Sequence, residues 1–178
     1  MNIIIVGCGK VGSAVLESLS AENHDIVVID SDQKVISELS NLYDAMYLCG
    51  NGVDWETLTE AGASKTNLLL AMTGSDECNM LICYMAKKIG VPYTIARIRN
   101  PQYTDQIHSM RDLFALSMTV NPEKRAALEI ERLLKMPGFL KRESFSKGRV
   151  EIVEIRVDAE SKLCNIPLSI CLFQDIFE

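Results

Sequence analysis

The sequence lacks the features that mark membrane-spanning, secreted and nucleic-acid-binding chains. No apolar run approaches the roughly 18 residues that a helix needs to cross a bilayer. The chain opens on a strand-like segment instead of a basic stretch and an apolar leader, so we expect no secretion signal. The 18 Lys and Arg are outnumbered by 24 Asp and Glu, a net charge of −6. This balance argues against nucleic acid as a partner, because neutralising phosphates requires a basic surface.

Histidine is scarce, and the cysteines lack the spacing of a metal site. The chain has two histidines and six cysteines, and no two cysteines form a C-x-x-C pair. Several cysteines lie inside apolar runs, where a free cysteine behaves as a small core residue. We therefore expect reduced, structural thiols and no metal site. The alternative is a metal or redox sensor built on the cysteines.

A glycine fingerprint near the start is the most informative motif of the chain. The apolar strand at residues 2–6 is followed by G-x-G-x-x-G, in which Gly7, Gly9 and Gly12 are the glycines, and then by an amphipathic run. In dinucleotide-binding folds the first glycine permits the tight turn, and the second lets a pyrophosphate approach the backbone. The third lets the helix pack against the strand. Free N–H groups at the start of the helix then face the phosphates.

An acid ends the second predicted strand, residues 25–29. This residue, Asp30, stands about 20 residues after the glycines, where NAD-binding folds carry an acid that bonds the ribose hydroxyls. A carboxylate there repels a 2′-phosphate by about 1 kcal/mol in water and by up to about 4 kcal/mol near a protein surface. Asp30 therefore favours NAD or an adenine nucleotide over NADP, unless it is only a solvated loop acid.

Further candidates lie where other predicted strands end, since ligands of open α/β sheets bind outside the carboxyl ends of the strands. Asn51 can meet the adenine or its ribose, and Arg97 can hold a phosphate bidentately or pair with an acid. Lys10, inside the glycine turn, reaches a phosphate of its own or a neighbouring subunit's ligand, or is simply an exposed lysine. The alternative for each is an ordinary loop or strand-end residue. The candidates outside the glycines and Asp30 are Lys10, Asn51, Thr73, Gly74 and Arg97.

Strands and helices alternate over the first 120 residues, which predicts an α/β fold. Each βα crossover is expected to be right-handed, so the strands form a doubly wound, parallel, Rossmann-like sheet. The predicted strands are residues 2–6, 25–29, 45–49, 67–72, 93–97 and 116–120, with helices between them.

An extra helix is expected after the sheet, at residues 121–134. Asn121 and Pro122 form a cap-then-proline start. Its apolar stripe packs on the chain's own sheet or covers another surface or subunit. The stripe consists of Ala126, Ala127, Ile130, Leu133 and Leu134.

We assign residues 1–135 to one nucleotide-binding domain, residues 136–149 to a polar linker and residues 150–178 to the beginning of a second, small α+β domain. The alternating segment from Val150 to Val157 reads as the first strand of that second domain. Too few residues follow it to form a domain, so we expect the second domain to be incomplete in this chain.

The sequence offers no catalytic machinery that we can identify. Tyr84 and Lys88 form the Y-x-x-x-K pair of short-chain dehydrogenases, but the glycine spacing of that family differs, and its pair comes much later in the chain. No other acid–base pair stands beside a plausible substrate pocket. We therefore expect a binding protein rather than an enzyme, with an NAD-dependent oxidoreductase as the alternative.

Six motifs together resemble the Trk potassium-uptake regulators of the TrkA type, whose nucleotide-binding domain is the RCK N-terminal (KTN) domain. The T-x-x-D-E-x-N run is more specific to this family than the glycine fingerprint, and the tail from Val150 resembles the start of the family's C-terminal domain. The motifs are G-C-G-K-V-G at 7–12, E-N-H-D-I-V-V-I-D at 22–30, G-N-G at 50–52, A-G-A at 61–63, T-G-S-D-E-C-N-M at 73–80 and I-A-R-I-R-N-P-Q-Y at 95–103.

The resemblance implies a cytoplasmic subunit, peripheral on the inner face of the membrane. Such a subunit binds NAD or NADH, or alternatively ATP or ADP, and gates a separate integral-membrane potassium transporter of the TrkH or TrkG kind. Family members pair through a helix after the sheet, which makes residues 121–134 a homodimer interface. Single-repeat members often carry arginine where Lys10 stands. The family's nucleotide contacts fall on Gly7, Cys8, Gly9, Lys10, Val11, Asp30, Thr73, Gly74 and Arg97.

Overall fold

The computed structural model describes residues 1–135, 139–145 and 150–155, and residues 157, 164 and 167. The chain forms two compact units, Met1–Arg125 and Ala126–Glu178. None of the described helices is long and apolar enough to cross a bilayer.

A six-stranded parallel sheet is the centre of the first unit. Its order is β3-β2-β1-β4-β5-β6, which is the strand order of the doubly wound Rossmann fold and confirms the predicted fold class. The strands are β1 Asn2–Val6, β2 Asp25–Asp30, β3 Met46–Cys49, β4 Leu68–Ala71, β5 Tyr93–Arg97 and β6 Met118–Val120. The helices are α1 Lys10–Ser20, α2 Gln33–Ser40, α3 Trp55–Glu60, α4 Asp76–Ile89, α5 Pro101–Leu113 and α6 Pro122–Lys135.

The central strands are apolar on both faces because helices cover both. Ile4 belongs to one buried cluster with residues of α3 and α4, whereas its neighbour Ile5 belongs to a second cluster with residues of α1 and α2. Both side chains are completely buried. Because neighbouring side chains of β1 enter different clusters, the sheet lies between two apolar layers. Fully burying such a side chain contributes about 1.5–3 kcal/mol to the stability of the fold.

Side-chain oxygens cap several helices at the carboxyl edge of the sheet. Ser75 accepts a hydrogen bond from the N–H of Cys78 at the start of α4, and Asn100 accepts one from Gln102 at the start of α5. Each cap satisfies an N–H group that the first helical turn leaves without a partner.

Helix α6 begins at Pro122 in the first unit and continues into the second. Asn121 caps it by accepting a hydrogen bond of 2.8 Å from the N–H of Lys124. Its apolar stripe is exposed: Ile130 and Leu133 have exposed fractions of 57% and 58%, and Leu134 reaches 75%.

The described part of the second unit contains an antiparallel pair, β7 Phe139–Phe145 and β8 Val150–Ile155. The predicted strand from Val150 is thus present, but the predicted linker at 136–149 was wrong over residues 139–145. The polar segment K-R-E-S suggested a linker, whereas pairing with β8 supplies hydrogen bonds that composition does not reveal. Residues 136–138, residues 146–149 and most of residues 156–178 lie outside the described residues.

Candidate functional site

A cleft of about 560 Å³ opens at the carboxyl ends of the parallel strands. It lies where the strand order reverses direction, between β1 and β4, which is the position of ligand sites in open α/β sheets. Its volume is in the range of small-molecule sites. The predicted residues that line it are Gly7, Gly9, Lys10, Val11, Asp30, Asn51, Thr73, Gly74 and Arg97. Cys8 and Gly12, also predicted, are not among its lining residues.

The three glycines of the fingerprint have distinct structural reasons. Gly7 has a φ of +86°, and a Cβ there would lie 2.8 Å from the backbone of Thr73. A Cβ on Gly12 would lie 2.0 Å from the carbonyl oxygen of Gly7, so this glycine permits α1 to pack closely against the turn. A Cβ on Gly9 would meet no atom within 4 Å, because this residue faces the cleft.

Cys8 belongs to the core rather than to the cleft. Its side chain is 3% exposed, and burial, together with the charge of Asp30, raises the pKa of the thiol to about 12. Its backbone N–H donates a hydrogen bond of 2.7 Å to Oδ2 of Asp30. The residue thus serves the turn through its backbone, and its thiol stays protonated and unreactive.

Asp30 joins the glycine turn to the end of β2. Its Oδ2 accepts the bond from Cys8, and its Oδ1 accepts a bond of 2.9 Å from the N–H of Asp32. These bonds hold the carboxylate at the wall of the cleft. An ionised carboxylate has about four lone-pair sites, so acceptor capacity remains on both oxygens.

Asn79 ties together the opposite wall of the cleft, and the sequence reasoning assigned it no role. This completely buried side chain accepts bonds from the N–H and the hydroxyl of Thr73, at 2.9 and 2.7 Å. Its amide donates to the carbonyls of Thr73 and Arg97, at 3.2 and 2.8 Å. The loop after β4 and the end of β5 are therefore fastened by one side chain.

Two neighbouring acids, the buried Asp76 and the exposed Glu77, bond to the segment that follows β5. Asp76 is buried, and its Oδ2 accepts bonds from the N–H groups of Arg99 and Asn100, at 2.8 and 2.7 Å. The neighbouring Glu77 accepts hydrogen bonds from the hydroxyls of Tyr103 and Ser75, which lower its pKa. The only sequence signal for these residues was their place in the T-x-x-D-E-x-N run, because burial of an acid is not visible in a pattern.

Arg97 lines the cleft and also pairs with an acid outside it. One terminal nitrogen of its guanidinium contacts Glu123, in the first turn of α6. Partial burial raises the pKa of Glu123, but the hydrogen bonds from its own N–H and from Arg97, with the charges of Arg97 and Arg99, outweigh this and lower it. Pairing with an acid, one of the roles that the sequence allowed Arg97, is thus present in the structure.

Of the side chains considered in the sequence for other roles, Tyr84, Lys88 and Cys83 lie outside the cleft, whereas Cys78 lines it. Lys88 stacks on the ring of Tyr84, 5.4 Å from its centroid, and neither residue lines the cleft. Cys83 is buried, and burial raises its pKa to about 12. Cys78, by contrast, is exposed and lines the cleft, which the sequence analysis missed. No group of three metal-ligating side chains occurs within the described parts of the chain.

The order of the sheet, the glycine turn and the cleft agree with a family-level match. The sequence model of the TrkA-N domain matches residues 3–122. The chain belongs to the TrkA-N domain family. The match covers β1 to β6 and ends at the first residue of α6, so the lining of the cleft lies entirely within the TrkA-N domain.

Curated relatives of this TrkA-N chain are named as potassium-uptake proteins. A Trk system potassium uptake protein TrkA homolog of Archaeoglobus fulgidus is 35% identical over 162 residues, covering 91% of this chain and 37% of the relative. The Trk system potassium uptake protein TrkA of Vibrio alginolyticus is 35% identical over 159 residues, covering 88% and 35%. The chain thus spans little more than a third of the length of these relatives.

Solved structures share the fold of the TrkA-N domain. The TrkA-N domain of the inner membrane protein ybaL from Escherichia coli has a TM-score of 0.65 at 24% identity, covering 75% of this chain and 96% of that one. The Kef C-terminal domain of Shewanella denitrificans, in an AMP-bound form, has a TM-score of 0.63 at 20% identity, covering 78% and 82%. The GsuK channel bound to NAD has a TM-score of 0.58 at 18% identity, covering 67% and 21%.

Proposed function

We propose that this chain is the nucleotide-binding part of a regulatory protein in a Trk-type potassium uptake system. The observation that carries the proposal is the cleft at the switch point, where the glycine turn and the carboxylate of Asp30 share one wall. Relatives at 35% identity bear the name of potassium-uptake proteins, and one protein of the same fold is AMP-bound and another is bound to NAD.

The ligand we propose is NAD or NADH, with ATP or ADP as the alternative. Each oxygen of Asp30 accepts one backbone bond and keeps capacity for a ribose hydroxyl. Lys10 and Arg97 line the same cleft and place positive charge near the phosphates. All four nucleotides share adenosine diphosphate, which is the part that these residues recognise.

The partner we propose is an integral-membrane potassium transporter subunit, of the TrkH or TrkG kind, with this chain at the cytoplasmic face of the membrane. Nucleotide binding regulates transport if the two arrangements of the assembly differ in nucleotide affinity, since a ligand shifts an equilibrium only through such a difference. The oxidoreductase alternative lacks support in the described residues, because the Tyr84–Lys88 pair lies away from the cleft.

Calorimetric titration with NAD and NADP tests the ligand proposal. We expect NADP to bind at least about tenfold more weakly, because its 2′-phosphate meets the Asp30 carboxylate. The variant Asp30→Ala should reduce the difference between the affinities for NAD and NADP. Asp25→Ala, at the exposed opposite end of β2, is the matched control and should leave this difference unchanged. Equal affinities for NAD and NADP in the unmodified chain would overturn the role of Asp30.

The exposed stripe of α6 supports a second part of the proposal, that the chain forms a homodimer through residues 121–134. Stable protein pairs bury about 800 Å² on each partner. Light scattering at micromolar concentration should show a dimer, and Ile130→Glu with Leu133→Glu should convert it to a monomer with an intact nucleotide site. Leu42→Glu, at a residue that is 69% exposed in the first unit, is the control and should remain dimeric. A monomeric unmodified chain would contradict this part.

A further inference from the structure

The side chain of Arg97 belongs to two structures at once. It lines the cleft at the end of β5, and its terminal nitrogen Nη2 pairs with Oε1 of Glu123 in the first turn of α6. The side chain of Arg97 is 12% exposed, whereas that of Glu123 is 54% exposed. The arginine is therefore the enclosed member of the pair, and the glutamate is the member that water can reach.

The contact between Arg97 and Glu123 uses only part of the guanidinium. Nε of Arg97 is buried and has no hydrogen-bond partner among the described residues. The fork of an arginine fits two oxygens of one carboxylate or phosphate, and such bidentate pairs are stronger than single contacts. A buried donor without an acceptor costs free energy. The Nε–H of Arg97 is such a donor, so part of the hydrogen-bonding capacity of this guanidinium is unused.

We propose that a phosphate of the bound nucleotide and the carboxylate of Glu123 compete for Arg97, so that nucleotide binding weakens the link between Arg97 and α6. A phosphate that engages the fork of Arg97 needs the nitrogen that Glu123 occupies. The two acceptors are both anions, so they also repel one another across the guanidinium. This inference rests on the proposed nucleotide site and adds a regulatory output to it.

The consequence falls on the first turn of α6. Glu123 fastens this turn to the end of β5 through Arg97, and Asn121 fastens it to the following loop by donating its amide to the carbonyl of Arg99 at 3.1 Å. Loss of the Arg97 contact leaves the Asn121 contact in place, so the turn loosens without detaching. Because α6 runs from the first unit into the second, its start is suited to report the state of the cleft.

The variant Glu123→Gln tests the competition by calorimetric titration with ADP. Removing the competing charge should tighten ADP binding about two- to fivefold, the range expected for an ion pair whose carboxylate is exposed to solvent. The matched control is Glu56→Gln, which removes the same charge from the same position of the first turn of α3, at a residue that does not line the cleft. Its effect on ADP affinity measures the general contribution of net charge.

A double variant separates competition from bulk electrostatics. Arg97→Gln should weaken ADP binding, and adding Glu123→Gln to it should change nothing further, because the contested group is gone. Hydrogen exchange supplies a second measurement: ADP should speed exchange in the first turn of α6 in the unmodified chain, whereas the turn of the Glu123→Gln variant should exchange fast with or without ADP.

The possible failures are distinguishable. If the unmodified chain binds neither ADP nor NAD, the proposed function is overturned and this inference with it. If ADP binds but Glu123→Gln leaves its affinity at the level of Glu56→Gln or weakens it, the competition alone is overturned. The same conclusion follows if the effect of Glu123→Gln persists in the Arg97→Gln background.

Discussion

The two halves of the sheet build their sides of the cleft by different physical means. On the side of β1 to β3, the wall is shaped by the backbone. Gly7 has a φ in the left-handed region, and Gly12 has no room for a side chain. Backbone N–H groups bond the carboxylate of Asp30. On the side of β4 to β6, the wall is fastened by side chains, chiefly the buried Asn79 and Asp76.

Because of this difference, the two halves tolerate different kinds of substitution. The backbone wall depends on the absence of atoms, so adding a single methyl group is the damaging change. The side-chain wall depends on the presence of donors and acceptors, so deleting them is damaging, because each loss leaves buried polar groups without partners. Changes of opposite kind should therefore break the two halves.

The largest expected effect is that of Gly12→Ala in the first half. A Cβ at 2.0 Å from the Gly7 carbonyl oxygen forces α1 away from the turn, and we expect a loss of about 3 kcal/mol or more in the free energy of unfolding. Gly9→Ala is the matched control: its backbone φ of −63° suits alanine, so stability should change by less than about 0.5 kcal/mol. Urea unfolding measures both.

The same two variants separate an effect on the stability of the fold from an effect on nucleotide binding. Gly9→Ala should lower nucleotide affinity about tenfold or more although its stability is normal, because its methyl group occupies the approach to the backbone. Normal affinity in Gly9→Ala would contradict the proposed position of the phosphates, and normal stability in Gly12→Ala would contradict the account of the backbone wall.

The next effect is that of Asn79→Ala in the second half, where we expect a loss of about 3 kcal/mol. The substitution leaves the N–H and the carbonyl of Thr73 without the hydrogen bonds that Asn79 makes to them. It also removes one hydrogen bond to the carbonyl of Arg97. Asn67→Ala deletes an exposed asparagine with one bond, to the N–H of Asn2, and should cost no more than about 1 kcal/mol. Equal losses in the two variants, measured by urea unfolding, would show that Asn79 does not hold the wall.

The smallest effect is electrostatic and compares an acid from each half. Hydrogen bonds lower the pKa of Asp54, mainly from Thr57 three residues away, and that of Glu77, mainly from the distant Tyr103. A lowered pKa in the folded state means that both groups stabilise the fold at neutral pH, and that this stabilisation is lost as the pH falls through the folded-state pKa.

Tyr103→Phe should raise the pKa of Glu77 toward its ordinary value and leave that of Asp54 unchanged. Carboxyl chemical shifts followed by NMR during an acid titration measure both groups in one sample. A rise in both pKa values would mean that the substitution disturbs the whole domain and not the one contact.

The sequence predicted the first half of the site more completely than the second. The roles of Gly7 and Gly12, the position of Asp30 and the parallel sheet follow from residue type and spacing over short distances, and the structure agrees with each. It did not predict that Asp30 bonds the N–H of Cys8, or that Arg97 pairs with Glu123, 26 residues further along the chain.

The wrong or incomplete expectations concern strand pairing, exposure and burial, which residue type alone does not show. The strand at residues 139–145 was interpreted as part of a linker because it is polar, and its pairing with β8 is not visible in that composition. Cys78 was grouped with structural thiols, although its place in the first turn of α4 exposes it to the cleft. Asn79 and Asp76 look like ordinary polar helix residues until burial makes their hydrogen bonds necessary.

The sequence by itself determined the helices and strands of residues 1–135 and their kind, since helix caps, glycine conformations and apolar periodicity act over a few residues. It also determined that the ends of five strands carry the residues of one candidate site. Only the tertiary structure decided which side chains meet: Asn79 with the end of β5, Asp76 with the loop before α5, and Arg97 with α6. Such contacts depend on burial and on distances between segments far apart in the chain, which no local pattern encodes.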